Sequence, residues 1–305
     1  MKPSSTEVWA RQLQGDVRLQ EPLVQWTSIR VGGPAEILYR PARPDQLVEA
    51  LKVARHDGVP ITVLGGGANT LVGDEGIPGL TIKLGPDLFP EEIFHQGDET
   101  TLSLGAGAAI VRLINQMKAH RLVGAEFLAG IPGTIGGAVS MNAGTKHGEC
   151  MSVVQAVEVA TAEGVGWIPR ERLGARYRRT DLPEGGVVTR VRFALREGDV
   201  DASRKAMEAD LDYRKRTQPL SQPNFGSVFK NPPNDFAGRL IESVGLKGHR
   251  AGQAQISGLH ANWIVNLGGA TAREVLALIA LAQQRVKEAT GVELQPEVKK
   301  VGRFA

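Results

Sequence analysis

Three consecutive glycines, Gly65 to Gly67, follow directly on the apolar run Ile61, Thr62, Val63 and Leu64 and open the segment GGGANTLVGDEGIPG, which ends at Gly79. Glycine tolerates positive φ, so a chain leaving a strand here can turn sharply and aim successive backbone N–H groups at one point. Backbone alone can cradle a diphosphate in that way, which makes the loop a candidate phosphate site. A plain turn would use the same glycines. Two well-known phosphate motifs are excluded. No Gly-Lys-Ser/Thr follows, as a P-loop requires, and the segment opening at Asn69 does not read as the helix that the GxGxxG fingerprint needs.

A second glycine-rich segment, GIPGTIGGAVSMNAG from Gly130 to Gly144, has Asn142 as its only strongly polar side chain before the last glycine. It shows neither helical nor strand periodicity, and so apolar a run makes a poor surface connection. Close approach of its backbone to a large, flat, partly apolar ligand accounts for the composition. A buried turn between two strands is the alternative.

Elsewhere the first part of the chain alternates helix and strand. Asp45 to His56 carries Leu47, Val48, Leu51 and Ala54 on one helical face and closes at Gly58 and Pro60, before the strand Ile61 to Leu64. Ala108 to His120 is expected as an amphipathic helix with Val111, Ile114 and Met117 in step, followed by strands at Val153 to Ala160 and Gly186 to Ala194. A polar helix over Glu197 to Arg216 suits a linker. In the last part, Thr271 and Glu274 form a capping box and Gly291 supplies a helix stop. Val292, Leu294, Pro296 and Val298 then alternate with Glu293, Gln295 and Glu297, which reads as a final strand with Glu297 off the apolar face.

Composition excludes several classes. The chain has 305 residues, 42% hydrophobic and 23% charged, which is ordinary for a soluble globular protein of two or three domains. No apolar run approaches the roughly 18 residues of a membrane span, and the N-terminus has no apolar core of a secretory signal, so a cytoplasmic protein is expected. A net charge of +3 gives no argument for nucleic acid. Cys150 is the sole cysteine, which excludes an internal disulfide and a cysteine metal cluster, and no metal is expected. Basic residues gather at Arg176, Arg178 and Arg179 and again at Tyr213 to Arg216. A solvated basic face and a pair of sites for anionic ligands both account for them.

Together with TSIRVGGPA (Thr27 to Ala35), YRRT (Tyr177 to Thr180), GSVFKNP (Gly226 to Pro232) and LQPEVKKVG (Leu294 to Gly302), the two glycine segments resemble the UDP-N-acetylenolpyruvoylglucosamine reductases of bacterial cell-wall synthesis, in family order over nearly the whole chain. The resemblance implies an α+β fold. A two-part FAD-binding region of the PCMH/vanillyl-alcohol-oxidase type, 1–70 and 71–196, would precede a smaller α/β substrate-binding domain, 197–305. It implies noncovalent FAD, held by Gly65, Gly66, Gly67, Ala68, Asn69 and Thr70 and by Gly130, Ile131, Pro132, Gly133, Thr134, Gly136, Gly137, Ala138 and Asn142. NADPH would be the co-substrate, and the enolpyruvyl ether of UDP-N-acetylglucosamine would be reduced to UDP-N-acetylmuramate for peptidoglycan synthesis, hydride passing from NADPH to FAD to the substrate.

Three catalytic roles carry over by the same resemblance. Arg178 would bind the substrate carboxylate with its planar fork. Ser227 would protonate the α-carbon, and the glutamate of the PEV motif, Glu297, would donate to the developing enolate. Ignoring the resemblance, Ser227 reads as a turn residue and Glu297 as an exposed edge-strand glutamate. Tyr177, Arg214, Asn231, Lys247 and His260 fall on positions that line the substrate or nucleotide pocket. Two departures stand out. Thr217 occupies a position where many members carry lysine. Only 15 residues separate Asn231 from Lys247 and no tyrosine follows Tyr213, so the chain resembles the shorter branch, without a tyrosine-bearing loop. The alternatives are another FAD-dependent oxidase or dehydrogenase on the same scaffold and a non-enzymatic flavin- or UDP-sugar-binding module.

Overall fold

The computed structural model describes residues 5–96 and 99–304; residues 1–4, where the expected first subdomain begins, lie outside them. The chain divides into two compact units. The first comprises Met1–Leu19, Ile37–Gly66 and Gly79–Asp212, the second Gln20–Glu36, Gly67–Pro78 and Tyr213–Ala305. Each has its own apolar core.

In the first unit the strands Val154–Thr161 and Val187–Glu197, within a residue or three of expectation, pair antiparallel at the centre of a sheet. Its order is Gly164–Pro169, Val154–Thr161, Val187–Glu197, Glu99–Gly105, Glu92–Gln96, with Leu122–Val123 pairing beside Val187–Glu197. Leu102, Leu104, Val157, Val191 and Phe193 point into a core that also takes Leu47 and Leu51 from the helix Pro44–His56. Proline opens that helix, where its missing N–H has no intrahelical acceptor to lose.

The helix Ile110–Ala119 buries Ile110, Leu113, Ile114 and Met117, whereas Val111 is 61% exposed. The expected face holds at Ile114 and Met117 and fails at Val111. Val111 lies about 100° of helical rotation from Ile110, outside a stripe centred between Ile110 and Leu113. A second correction concerns Gly130 to Gly144, which holds a short helix, Ile135–Ser140. Thr134 caps it by accepting from Gly137 N–H at 3.3 Å.

In the second unit the strands Asn224–Ser227, Trp263–Asn266, Ala254–Ile256 and Arg250–Ala251 form an antiparallel sheet in that order. The helix Ala272–Thr290 buries Val275, Leu278, Ile279, Ala282 and Val286 in the core of that unit. Its caps are those read from sequence: Thr271 Oγ1 accepts from Glu274 N–H, Glu274 Oε2 accepts from Thr271 N–H, and Gly291 ends it at φ 74°. The expected strand Val292–Val298 is not one. Regular pairing begins only at Lys299–Val301, which runs parallel to Thr70–Val72, and the preceding segment makes a single bridge between Pro296 and Phe229. Proline at 296 has no N–H for a ladder, which suits an irregular segment there. The burial alternation survives in part: Leu294 and Val298 are buried and Glu293 and Gln295 exposed, whereas Val292, Pro296 and Glu297 are all half-buried.

The first glycine segment supplies a further cap. Asp74 Oδ1 accepts from Ala272 N–H at 2.7 Å and Oδ2 from Arg273 N–H at 2.9 Å, placing a carboxylate at the positive end of the long helix. Asp74→Ala is expected to lower stability by about 1–2 kcal/mol, with Asp74→Asn in between. Urea unfolding checks it, and a parental midpoint for Asp74→Ala would show that solvent replaces the cap at no cost.

Candidate functional site

In the first unit the two glycine segments meet. The strand Ile61–Val63 delivers Gly65 and Gly66 against the turn that precedes Ile135–Ser140. A Cβ on Gly65 would lie 2.9 Å from Thr134 Oγ1, and one on Gly66 would lie 2.7 Å from Gly133 Cα. A side chain larger than hydrogen would have to displace the Thr134 hydroxyl at Gly65 and the Gly133 backbone at Gly66. The result is a cradle walled by peptide groups, with Gly66 exposed and Gly65 and Gly133 half-buried. Such a wall suits a diphosphate, which backbone N–H groups bind without a fixed counter-charge. The residues present therefore fit FAD. Gly130 and Pro132 are exposed and Gly137 is half-buried on the same turn, whereas Ala138 is buried and Ile131 packs against the core. Gly136 is needed for packing, since a Cβ there would meet Ala106 Cβ at 2.9 Å.

Asn142 is 1% exposed and takes φ 41°. Its amide nitrogen donates to Glu149 Oε2 at 2.8 Å and to Arg176 O at 3.1 Å, and its oxygen accepts from Met151 N–H at 3.0 Å. Both N–H donors are thus used on protein partners. Asn142 ties the second glycine segment to the hairpin that carries Arg178, and Thr180 Oγ1 donating to Val139 O at 2.6 Å is a second tie.

That hairpin pairs Ala175–Arg176 with Arg179–Thr180 and leaves Tyr177 and Arg178 as its two turn residues. Arg178 sits at φ 60°, a conformation that costs a non-glycine residue roughly 1 kcal/mol or more. Its guanidinium donates to Gly144 O at 3.0 Å and lies 5.1 Å from the centre of the exposed Tyr177 ring. Arg176 and Arg179 both pair with Asp181, so these two members of the basic cluster are surface ion pairs.

The second unit brings together three segments far apart in sequence. Ser227 ends the strand Asn224–Ser227, opposite Trp263, after Gly226 at φ 80°. The next residue, Val228, accepts through its carbonyl from Glu297 N–H at 2.8 Å, and Lys230 N–H donates to Gln295 O at 2.9 Å. Glu297 and Ser227 are both half-buried. Asn69 completes the group: its side chain donates to Glu297 O at 3.1 Å and its carbonyl accepts from Lys299 N–H at 3.0 Å. Gly67, Ala68 and Thr70 belong here too. Gly67 is packed so that a Cβ would lie 2.3 Å from Trp26 O.

The remaining expected site residues are more scattered. Arg214 Nε donates to Gln218 Oε1 at 3.0 Å near the end of the helix Val200–Thr217, and Thr217 Oγ1 returns to Tyr213 O. Asn231 accepts from Ala237 N–H at 3.1 Å, at the start of the helix Ala237–Ser243. Lys247 pairs with Glu242 at 3.0 Å. His260 packs 4.3 Å from Trp263, centre to centre, and accepts from Asn262 N–H; burial, with Lys247 adding, lowers its pKa from the usual value. Two residues the sequence reading missed bear on the glycine segments, Asp74 and Lys83. Neither carries a local signal, because both act through strands and helices distant in the chain.

Residues 35–166 match the family model described as FAD binding domain, and residues 218–301 match that described as UDP-N-acetylenolpyruvoylglucosamine reductase, C-terminal domain. The chain is 68% identical to the UDP-N-acetylenolpyruvoylglucosamine reductase of Myxococcus xanthus (strain DK1622), over 95% of this chain and 93% of that relative. It is 55% identical to the one from Anaeromyxobacter sp. (strain Fw109-5), over 96% and 91%. A crystal structure of UDP-N-acetylenolpyruvylglucosamine reductase from Thermus caldophilus superposes with a TM-score of 0.80, at 38% identity over 95% of this chain and 99% of that one. With matches of this identity over almost its full length, the chain belongs to the UDP-N-acetylenolpyruvoylglucosamine reductase family, with an FAD-binding domain ahead of the family's own C-terminal domain.

Proposed function

We propose that the protein reduces the enolpyruvyl ether of UDP-N-acetylglucosamine to UDP-N-acetylmuramate, with NADPH as reductant and noncovalent FAD. The observation that supports the roles most directly is the backbone bond from Glu297 to Val228, which holds the PEV glutamate one residue from Ser227 in the pairing. When bound, FAD supplies the hydride chemistry, carrying an electron pair from NADPH to the β-carbon of the enolpyruvyl double bond. Gly65, Gly66 and Gly133 hold its diphosphate through backbone.

The protein's own groups handle the charge and the proton. Addition at the β-carbon places negative charge on the α-carbon and its carboxylate, so binding energy directed there lowers the barrier rather than merely tightening substrate binding. Arg178 holds the carboxylate with two parallel N–H bonds, and its strained turn fixes where the fork points. Glu297, in its acid form, donates to the enolate oxygen. Ser227 Oγ–H delivers the proton to the α-carbon, so that hydride and proton together saturate the bond. Tyr177, Arg214, Asn231, Lys247 and His260 are assigned to the UDP-sugar and the nicotinamide nucleotide. A cytoplasmic setting goes with this reading, since both proposed co-substrates are charged nucleotides.

Two measurements test it. NADPH oxidation should depend on the enolpyruvyl sugar and match it mole for mole; oxidation that proceeds equally without the sugar would identify an oxidase instead. Acid precipitation should release FAD into the supernatant, because no histidine or cysteine lies in GGGANTLVGDEG. Colour left in the pellet would overturn the noncovalent assignment.

A further inference from the structure

Lys83 is the first residue beyond the strand Ile77–Ile82, whose end runs parallel to Ile61–Val63 with Val63 opposite Ile82. Two backbone bonds fix it there: Leu64 N–H donates to Ile82 O and Lys83 N–H donates to Tyr39 O, each at 2.9 Å. From that position its half-buried side chain turns back, and Nζ donates to Gly65 O at 2.5 Å. Burial lowers the pKa of this ammonium, with Arg40 adding to the effect. A cation kept in such a place needs a strong acceptor, and the Gly65 carbonyl provides one.

The bonded peptide is the one that matters to the cradle. In a planar trans peptide the C=O and the N–H point in opposite directions, so holding Gly65 O toward Lys83 aims Gly66 N–H away from it. A peptide between two glycines has no side chain to favour one orientation over its flipped alternative. An external donor therefore decides which way this amide faces. Gly66 is exposed, and its Cα packs against Gly133, the opposite wall of the same cradle.

We propose that Lys83 is a positioning residue for the diphosphate cradle: by holding the Gly65 carbonyl it turns the Gly66 amide toward the bound anion, and its own charge stands behind that peptide without touching the ligand. The proposal rests on the reading of Gly65 and Gly66 as the FAD diphosphate wall. Lys83→Met removes donor and charge, Lys83→Arg keeps both, and Gly66→Ala damages the wall itself.

The test compares these three full-length variants with the parent by the FAD released on dilution of the purified holoproteins, read as flavin fluorescence, and by the thermal midpoints of the flavin-stripped proteins. Lys83→Met is expected to weaken FAD binding about ten- to hundredfold, the range for losing a hydrogen bond from a charged group. Lys83→Arg should recover most of the loss, with stripped-protein midpoints near the parent's. Parental affinity in Lys83→Met together with weakened binding in Gly66→Ala would overturn the role of Lys83 and leave the cradle standing. Parental affinity in both would overturn the cradle and the role together. A Lys83→Met protein of lowered midpoint whose folded fraction binds FAD normally would assign Lys83 to fold stability, and the proposal would fail.

Discussion

Ser227→Ala is expected to leave reduction of the flavin by NADPH at the parental rate while slowing its reoxidation by the enolpyruvyl substrate roughly a hundred- to ten-thousandfold, the contribution typical of a positioned general acid. The selectivity follows from the proposed chemistry, since a proton is needed at the α-carbon only when the double bond is saturated. The substitution is mild for the fold. Ser227 is half-buried at a strand end, and the bonds that shape its surroundings run through Gly226 N–H, Val228 O and Phe229 N–H, all of them main chain. Stopped-flow measurement of the two half-reactions separates the cases. Equal loss in both would make the serine structural.

Arg178→Lys and Glu297→Gln are each expected to lower kcat about a hundred- to a thousandfold, with a smaller change in substrate binding. Lysine keeps the charge of Arg178 but loses the fork, and it inherits the same φ 60° turn, so backbone strain is common to both proteins. Glutamine keeps an N–H donor at Glu297 but has no proton to share with an enolate. Because the two residues are assigned to one developing charge, the double variant should fall short of the product of the single losses. Fully multiplicative losses at unchanged flavin content would mean that the two groups act independently, and the assignment to a single charge would be abandoned. Asn69→Ala gives a related readout, since its amide holds the Glu297 carbonyl at 3.1 Å.

Features set by neighbours three or four residues apart were open to reading from the chain itself. The cap residues Thr271, Glu274 and Gly291 act within one helical turn of their targets, and all three stand in the structure as the pattern required. The paired strands Val154–Thr161 and Val187–Glu197 followed equally well, because their apolar residues reflect burial in a single core. The exposed Val111 and the helix within Gly130 to Gly144 mark the limit of that approach. A stripe is centred by what it packs against, and a six-residue helix of small residues has too little periodicity to be seen.

The sequence by itself determined the order of the motifs, the family they belong to and the ends of the well-capped helices. Only the tertiary structure decided what the motif residues do: Gly65 and Gly66 wall a cradle in one unit, whereas Asn69 holds Glu297 and Asp74 caps the helix Ala272–Thr290 in the other. Lys83 acquires its partner in the same way. The reason is physical. Helix caps and turns are chosen by bonds between near neighbours, while these contacts arise only once strands such as Thr70–Val72 and Lys299–Val301 lie side by side, and no local preference in either segment specifies the other.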